Sequence, residues 1–300
     1  MQPNPLLKKL GLADDDRAVI LHADDVGMCQ ASLAAYADLV EFGLISSAST
    51  MVPCPWFPAT AAFCRSQPGD RIDMGVHLTL TSEWAGYRWG PISNRDPASG
   101  LMDAAGYFHT SERAVQEHGD PAAVQREIQT QVERALAAGI DVTHVDTHMG
   151  SILHPKFVDA YLQLALEQRI PPLLLHQDEA GLREMGIDSE TAALFARLIQ
   201  VLETQGLPLL DSLYMMPLDQ PEDRVEQVKR VLEALPVGIT YFIVHPALDT
   251  PEMRAIAPDW RCRVADYQAF TSEVLRAVVR DSGIHVIGWR TVRAVMRGGD

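Results

Sequence analysis

Three short segments of this chain each close an apolar run with side chains that ligate metals: Ala23-Asp24-Asp25-Val26-Gly27, Gly75-Val76-His77-Leu78-Thr79 and Thr143-His144-Val145-Asp146-Thr147-His148. One carboxylate and two imidazoles drawn together from them would make a divalent-metal site with positions left open for water and substrate. A second carboxylate beside the first could take a proton from that water, so the pattern is the equipment of a hydrolase. A lone histidine at a strand end is more often structural than catalytic, and an Asp-Asp pair is commonly a helix cap. Their joint recurrence carries the inference. Adjacent carboxylates at the end of a buried strand repel each other and are costly to desolvate unless a cation or hydrogen-bond donors satisfy them.

The elements that position these residues are legible as alternating strand-length apolar runs and helical stretches. Strands are expected at Ala18 to Ala23, Ala48 to Val52, Met74 to Leu80, Val142 to Thr147, Leu173 to His176, Leu210 to Met215, Ile239 to His245 and Ile284 to Trp289. Eight parallel strands with crossover helices imply a distorted (β/α) TIM-like barrel, and the absence of any linker implies one domain over residues 1–300. In such a fold Asp24, Asp25, His77, His148 and His245 all fall at the carboxyl ends of strands, on the active-site rim. Helical stripes run through Val124, Ile128, Val132 and Leu136, and through Val225, Val228, Val231, Leu232 and Leu235. Asp120 reads as an N-cap ahead of Pro121, and Gly139 as the end of that helix.

Within Val142 to Thr147 the residues His144, Asp146 and His148 alternate onto one side of a strand. Asp146 then lies beneath His148 as an orienting acceptor, or His144 and Asp146 form a buried structural pair. His22, two residues before the Asp pair, reads more readily as a satisfied core histidine than as a ligand. Arg263 could pair with Asp24, hold substrate or form a surface or helix-start salt bridge. His109, His118, His176 and His285 have no motif context.

Residues 81–119 break the alternation. They are rich in turn formers, contain Trp84, Trp89, Tyr87, Tyr107 and Phe108, and show no convincing helix. A connection this long is commonly functional, and it leaves the His77 strand over the expected metal. Its aromatics either stack on a sugar ring or pack into a small core of their own.

The formal net charge of -15 argues against nucleic acid or an anionic membrane as partner and suits a neutral or cationic small molecule. The four cysteines form neither a zinc ribbon nor a disulfide framework, which fits a reducing compartment. No stretch has the length of a signal-peptide core or an integral membrane span, and a soluble, cytoplasmic protein is expected.

These motifs resemble a known family. Ala23-Asp24-Asp25-Val26-Gly27 is similar to the opening Ala-Asp-Asp-Phe-Gly of the YdjC-like carbohydrate deacetylases, which include chito-oligosaccharide and hopanoid-associated deacetylases. Gly75 to Thr81 resembles the second motif of that family, Thr143 to His148 the third, and Tyr241-Phe242-Ile243-Val244-His245-Pro246-Ala247 its late histidine-proline motif. Arg263-Val264-Ala265-Asp266 and the final strand are also similar. The resemblance implies Asp25, His77 and His148 as metal ligands, Asp24 as general base and His245 as general acid. It further implies a distorted (β/α) barrel, a homodimer, a carbohydrate substrate and one divalent ion: zinc or magnesium, with manganese also admitted by the donor set.

One departure is that the family's third motif usually continues with further histidines, where this chain has Met149-Gly150-Ser151-Ile152-Leu153 before His154-Pro155. His148 is kept; the residues that would hold substrate are not. His154 either substitutes for them or caps the helix expected at Pro155. With Trp84, Trp89 and Arg263 it completes the set of expected substrate contacts. Two other functions would use the same fold: metal-assisted hydrolysis or lyase chemistry on another ester, amide or phosphorylated sugar, and non-catalytic carbohydrate binding.

Overall fold

The computed structural model describes residues 3–184, 186 and 188–298. Among the described residues there are seven strands: β1 (Arg17–Val26), β2 (Ser47–Thr50), β3 (Met74–Leu78), β4 (Val142–Thr147), β5 (Ser212–Met215), β6 (Gly238–Val244) and β7 (His285–Val286). All pair in parallel, in the order β4-β3-β2-β1-β6-β5, with β7 on β1. Crossover helices between consecutive strands make this the expected α/β architecture.

The strand expected at Leu173 to His176 is present only as bridges, yet it joins the two ends of the sheet. Leu173 N–H donates to Val145 O at 2.8 Å on the β4 side, and Leu210 N–H donates to Leu174 O at 3.0 Å just before β5. The flanking prolines Pro171 and Pro172 lack the N–H groups that a continuous ladder requires. The barrel is further distorted at β7, which is shorter than the expected Ile284 to Trp289. It pairs with Ala18 and Val19, and Ile287 N–H donates to Val19 O on the same edge where Leu21 O accepts from Ser46 leading into β2. The last strand is thus wedged under β2, while β6 covers the other edge of β1 from Arg17 to Ala23.

The helix Pro121–Ala137 shows how sequence becomes packing. The Asp120 side chain accepts from Ala123 N–H at 2.8 Å, Pro121 needs no partner in the first turn, and Gly139 takes φ +83° beyond the last turn. Val124, Ile128 and Val132 are buried as their spacing implies, but the stripe continues through Ala135, and Leu136 is exposed. Two further buried residues on this helix are polar. Gln131 both donates to Thr79 O and accepts from Thr79 N–H, and Glu127 accepts from Ile92 and Ser93 N–H. The helix therefore pins the long segment after β3 to the barrel wall.

That segment, residues 81–119, has its own core. Trp84, Trp89 and Phe108 are buried, Trp89 Nε1–H donates to Thr81 O, and Tyr87 O–H donates to Met28 O. It also contains a short 3-10 helix, Pro97–Ser99, and an α-helix, Glu112–His118, capped by Ser111. The α-helix departs from the sequence expectation because it has only two turns and buries only Val115, too little to make a periodic stripe. All four cysteines are free.

Candidate active site

The Asp pair is positioned by a bulge. Pairing of β1 with β2 shifts register between Ala23 and Val26, and Asp25 lies inside the shift at φ 61°, a left-handed conformation uncommon outside glycine. In a regular strand Asp24 and Asp25 would point to opposite faces. Here both reach the same imidazole: His77 Nε2 is 3.4 Å from Asp25 Oδ1 and 3.9 Å from Asp24 Oδ2. Gly27 completes the turn at φ +82°, where a Cβ would lie 2.5 Å from Thr60 Oγ1.

His77 and His148 each carry a carboxylate on the ring nitrogen remote from Asp25. His77 Nδ1 is 2.8 Å from Asp146 Oδ1, and His148 Nε2 is 3.1 Å from Glu83 Oε2. With those nitrogens donating, His77 Nε2 and His148 Nδ1 present lone pairs inward. The two atoms are 3.3 Å apart, and Asp25 Oδ1 is 3.4 Å from the first and 3.3 Å from the second. Donors about 2.1 Å from one ion lie about 3.0 Å apart along an octahedral edge and about 3.4 Å along a tetrahedral edge, so the triangle has the right size for a divalent cation. Asp25 Oδ1 is also buried without a hydrogen-bond partner of good geometry, which is what a ligand oxygen looks like.

The other Asp25 oxygen is occupied. Arg263 Nη1 donates to Oδ2 at 2.7 Å, while its Nε donates to Asp259 at 3.0 Å. Burial opposes ionisation of Asp25, but the guanidinium, with His148 beside it, holds its carboxyl well below the usual range. Burial likewise opposes charge on His148, and Glu83 and Asp25 outweigh it, lifting the imidazole to about 10, so a cation bound at Nδ1 would take the place of a proton there.

Asp24 is placed differently. Its Oδ1 lies 3.0 Å from His22 Nε2, and its Oδ2 faces His245 Nε2 at 3.7 Å. Burial pushes the His245 pKa down. The backbone N–H of His245 donates to Asp266 at 2.9 Å, which fixes the turn after β6. Beneath the rim, Asp146 Oδ2 accepts from Tyr241 O–H at 2.8 Å and lies 3.2 Å from His22 Nε2. Burial works against charge on His22, yet hydrogen bonds to Asp146 and Asp24 raise its pKa to about 9. His144 lies deeper, stacked on Trp289, and Gly75 makes room for it: a Cβ there would meet His144 Cε1 at 2.4 Å.

The structure therefore brings Asp24, Asp25, His77, His148 and His245 together, and corrects several neighbouring expectations. Asp146 orients His77 rather than His148, and it also faces His144 Nε2 at 3.7 Å, the buried pair expected as the alternative. Arg263 binds Asp25 instead of Asp24, with Nη1 on Asp25 and Nε on Asp259, the helix-start partner four residues before it. Trp84 and Trp89 are 8% and 3% exposed, so neither offers an open face to a sugar; Trp84 stacks with Arg263, and Trp89 packs edge-on to His148. His154 accepts from Lys156 N–H at 3.2 Å and caps a turn whose helix begins only at Val158. His176 pairs with Glu203, His285 with Asp16, and His109 packs on His118, all apart from the cluster.

Glu83 was not identified from sequence, since it sits in irregular chain with no motif around it. Its only signal was position, six residues beyond His77 in the segment that leaves the rim.

The chain matches the family described as YdjC-like protein over residues 18–281. It is 35% identical over 291 residues to a protein of Thermus thermophilus named carbohydrate deacetylase, covering 97% of this chain and 99% of that one. A protein of the same name from Thermoanaerobacter pseudethanolicus is 24% identical over 266 residues, covering 89% and 95%. Among solved structures, a candidate cellobiose-phosphate cleavage protein of Enterococcus faecalis superposes with a TM-score of 0.72 at 19% identity, covering 92% of this chain and 99% of that one.

Proposed function

The chain belongs to the YdjC-like protein family, and we propose that it is a metal-dependent hydrolase that removes an N-acetyl group from an amino-sugar-containing substrate, either an oligosaccharide or a glycolipid. The observation that carries this reading is the convergence of two imidazoles, each backed by its own carboxylate, on an unpartnered oxygen of a third. The relatives named carbohydrate deacetylase support the substrate class. The net charge of -15 favours a neutral acetylated sugar over a phosphorylated one.

Asp25 Oδ1, His77 Nε2 and His148 Nδ1 would hold one zinc, magnesium or manganese ion. Such an ion supplies Lewis acidity and brings the pKa of a water from about 15.7 toward about 7. Arg263 keeps Asp25 to one free oxygen, so the ligand set stays small and the remaining positions stay open to substrate. Asp24 accepts the proton of the attacking water through Oδ2, the oxygen that faces the rim. His245, whose pKa burial pushes down, faces that same oxygen at 3.7 Å, takes the proton from Asp24 and passes it to the departing amine, which leaves poorly as an anion. Glu83 and Asp146 fix the tautomers of the two ligating rings. No helix among the described residues is long and apolar enough to cross a membrane, and we place the enzyme in the cytoplasm.

The test is acetate release by the purified protein from a panel of N-acetylated, O-acetylated and phosphorylated sugars, with chelator and with each metal restored. Chelator-sensitive acetate release from the N-acetylated members is expected. Phosphate release, or acetate release that chelator leaves unchanged, would overturn the reading.

A further inference from the structure

Three carboxylates crowd the interior under the rim, and one imidazole sits between two of them. His22 Nε2 lies 3.0 Å from Asp24 Oδ1 and 3.2 Å from Asp146 Oδ2, with Ser49 Oγ at 3.1 Å. His22 is fully buried, and Asp24 and Asp146 are 6% and 1% exposed. Two buried carboxylates do not share such a space without a donor between them. Ser49 has one hydrogen to offer among His22, Asp24 and His77 Nδ1. Nε2 of His22 must therefore carry a hydrogen, whatever the net charge of the ring. The ring cannot easily turn away, because Tyr241 packs against it at 4.7 Å between centroids and His144 meets its edge at 5.1 Å. His22 reaches this position because it precedes Asp24 by two residues on β1 and shares its face.

We propose that His22 is a positioning residue for the reaction: its Nε2 hydrogen, shared between Asp24 Oδ1 and Asp146 Oδ2, fixes which oxygen of Asp24 faces the rim. The consequence is directional. With Oδ1 engaged, Oδ2 is the oxygen left facing His245 and His77. Because Asp146 Oδ1 also holds His77 Nδ1 in a hydrogen bond, a chain of close polar contacts runs from the proton acceptor to the proposed metal-ligating ring: Asp24, His22, Asp146, His77. Removing His22 frees the Asp24 carboxylate to rotate, which misaligns the base without touching a ligand atom.

This rests on the proposed function for its kinetic consequence, but not for its geometry. His22→Leu removes the donor at similar size, and His22→Gln keeps an N–H at comparable reach. With an N-acetylated sugar turned over by the parent enzyme, His22→Leu should lower kcat by roughly 10- to 100-fold with KM within about twofold and bound metal per chain unchanged. His22→Gln should recover most of the loss. A kcat within about twofold of the parent in His22→Leu, equal loss in both variants, or loss of metal along with turnover would overturn the proposal. Proton–nitrogen NMR of the parent protein decides the geometry independently. A solvent-protected Nε2–H of His22 that shifts in Asp24→Asn is expected, and an Nε2 without a hydrogen would refute the proposal even if turnover fell. If the parent enzyme releases no acetate from any sugar, the functional reading fails while the NMR result still decides the role of His22.

Discussion

From β1 to β4 the barrel wall is buried along almost its whole length, whereas at β5 three successive large residues, Leu213, Tyr214 and Met215, are 43%, 38% and 48% exposed. The neighbouring strand position, residues 171–176, is held to β4 and β5 by isolated bridges alone. The ligand-bearing side is close-packed to the point that Gly75 admits no Cβ, while the far side leaves apolar surface open. The contrast shows where the fold requires precision. The three proposed donor atoms, from β1, β3 and the residue after β4, would have to be held to a few tenths of an ångström, and only tightly packed neighbours with fixed hydrogen bonds hold side chains that well. No such requirement acts on β5.

Substitutions on the two sides should therefore differ in kind. The largest effect is expected from His148→Ala, which removes a ligand atom and should weaken metal binding by more than about 100-fold in a competition titration. His176→Ala, on the loose side and paired only with Glu203, should leave metal affinity unchanged; equal losses in both would show that the site lies elsewhere. Next is Gly75→Ala, whose new methyl overlaps His144 and should cost about 1–3 kcal/mol in denaturant unfolding. Glu83→Gln removes the acceptor behind His148 and should weaken metal binding by about tenfold with little change in stability. The smallest effect is expected from Leu213→Ser on exposed β5, within about 0.5 kcal/mol by the same unfolding measurement. A larger cost there would erase the contrast between the two sides.

What was legible in sequence follows the same division. Strand ends on the packed side carry apolar runs that stop at ligand-type residues, so one carboxylate and two imidazoles could be grouped from spacing, while the choice of Asp25, His77 and His148 came from the resemblance. The bulge that turns Asp24 and Asp25 to one face leaves no local signature, since Asp25 in a left-handed conformation looks like any aspartate in the chain. Glu83 was illegible because an irregular segment has no period to place its side chains. For Arg263 the helix-start salt bridge offered by sequence is present, to Asp259, but the aspartate of the pair that it holds is Asp25 and not Asp24, because adjacency in sequence does not reveal which of two neighbouring carboxylates a bulge presents to a helix. For Trp84 and Trp89 composition left two readings open, a sugar platform or a small core of their own, and the segment closes on itself in the second way. The strand at Leu173 to His176 was named correctly by its apolar run, while Pro171 and Pro172 reduced it to bridges.

The account depends most on dividing two adjacent aspartates into a ligand and a base, because Asp24 also lies within reach of His77 and Asp146 in a second cluster able to hold an ion. Metal content and acetate release measured together on Asp24→Asn test that division directly. The account predicts one bound metal per chain, as in the parent protein, with turnover lost. Metal lost together with turnover would make Asp24 a ligand, and turnover retained would remove it as the base.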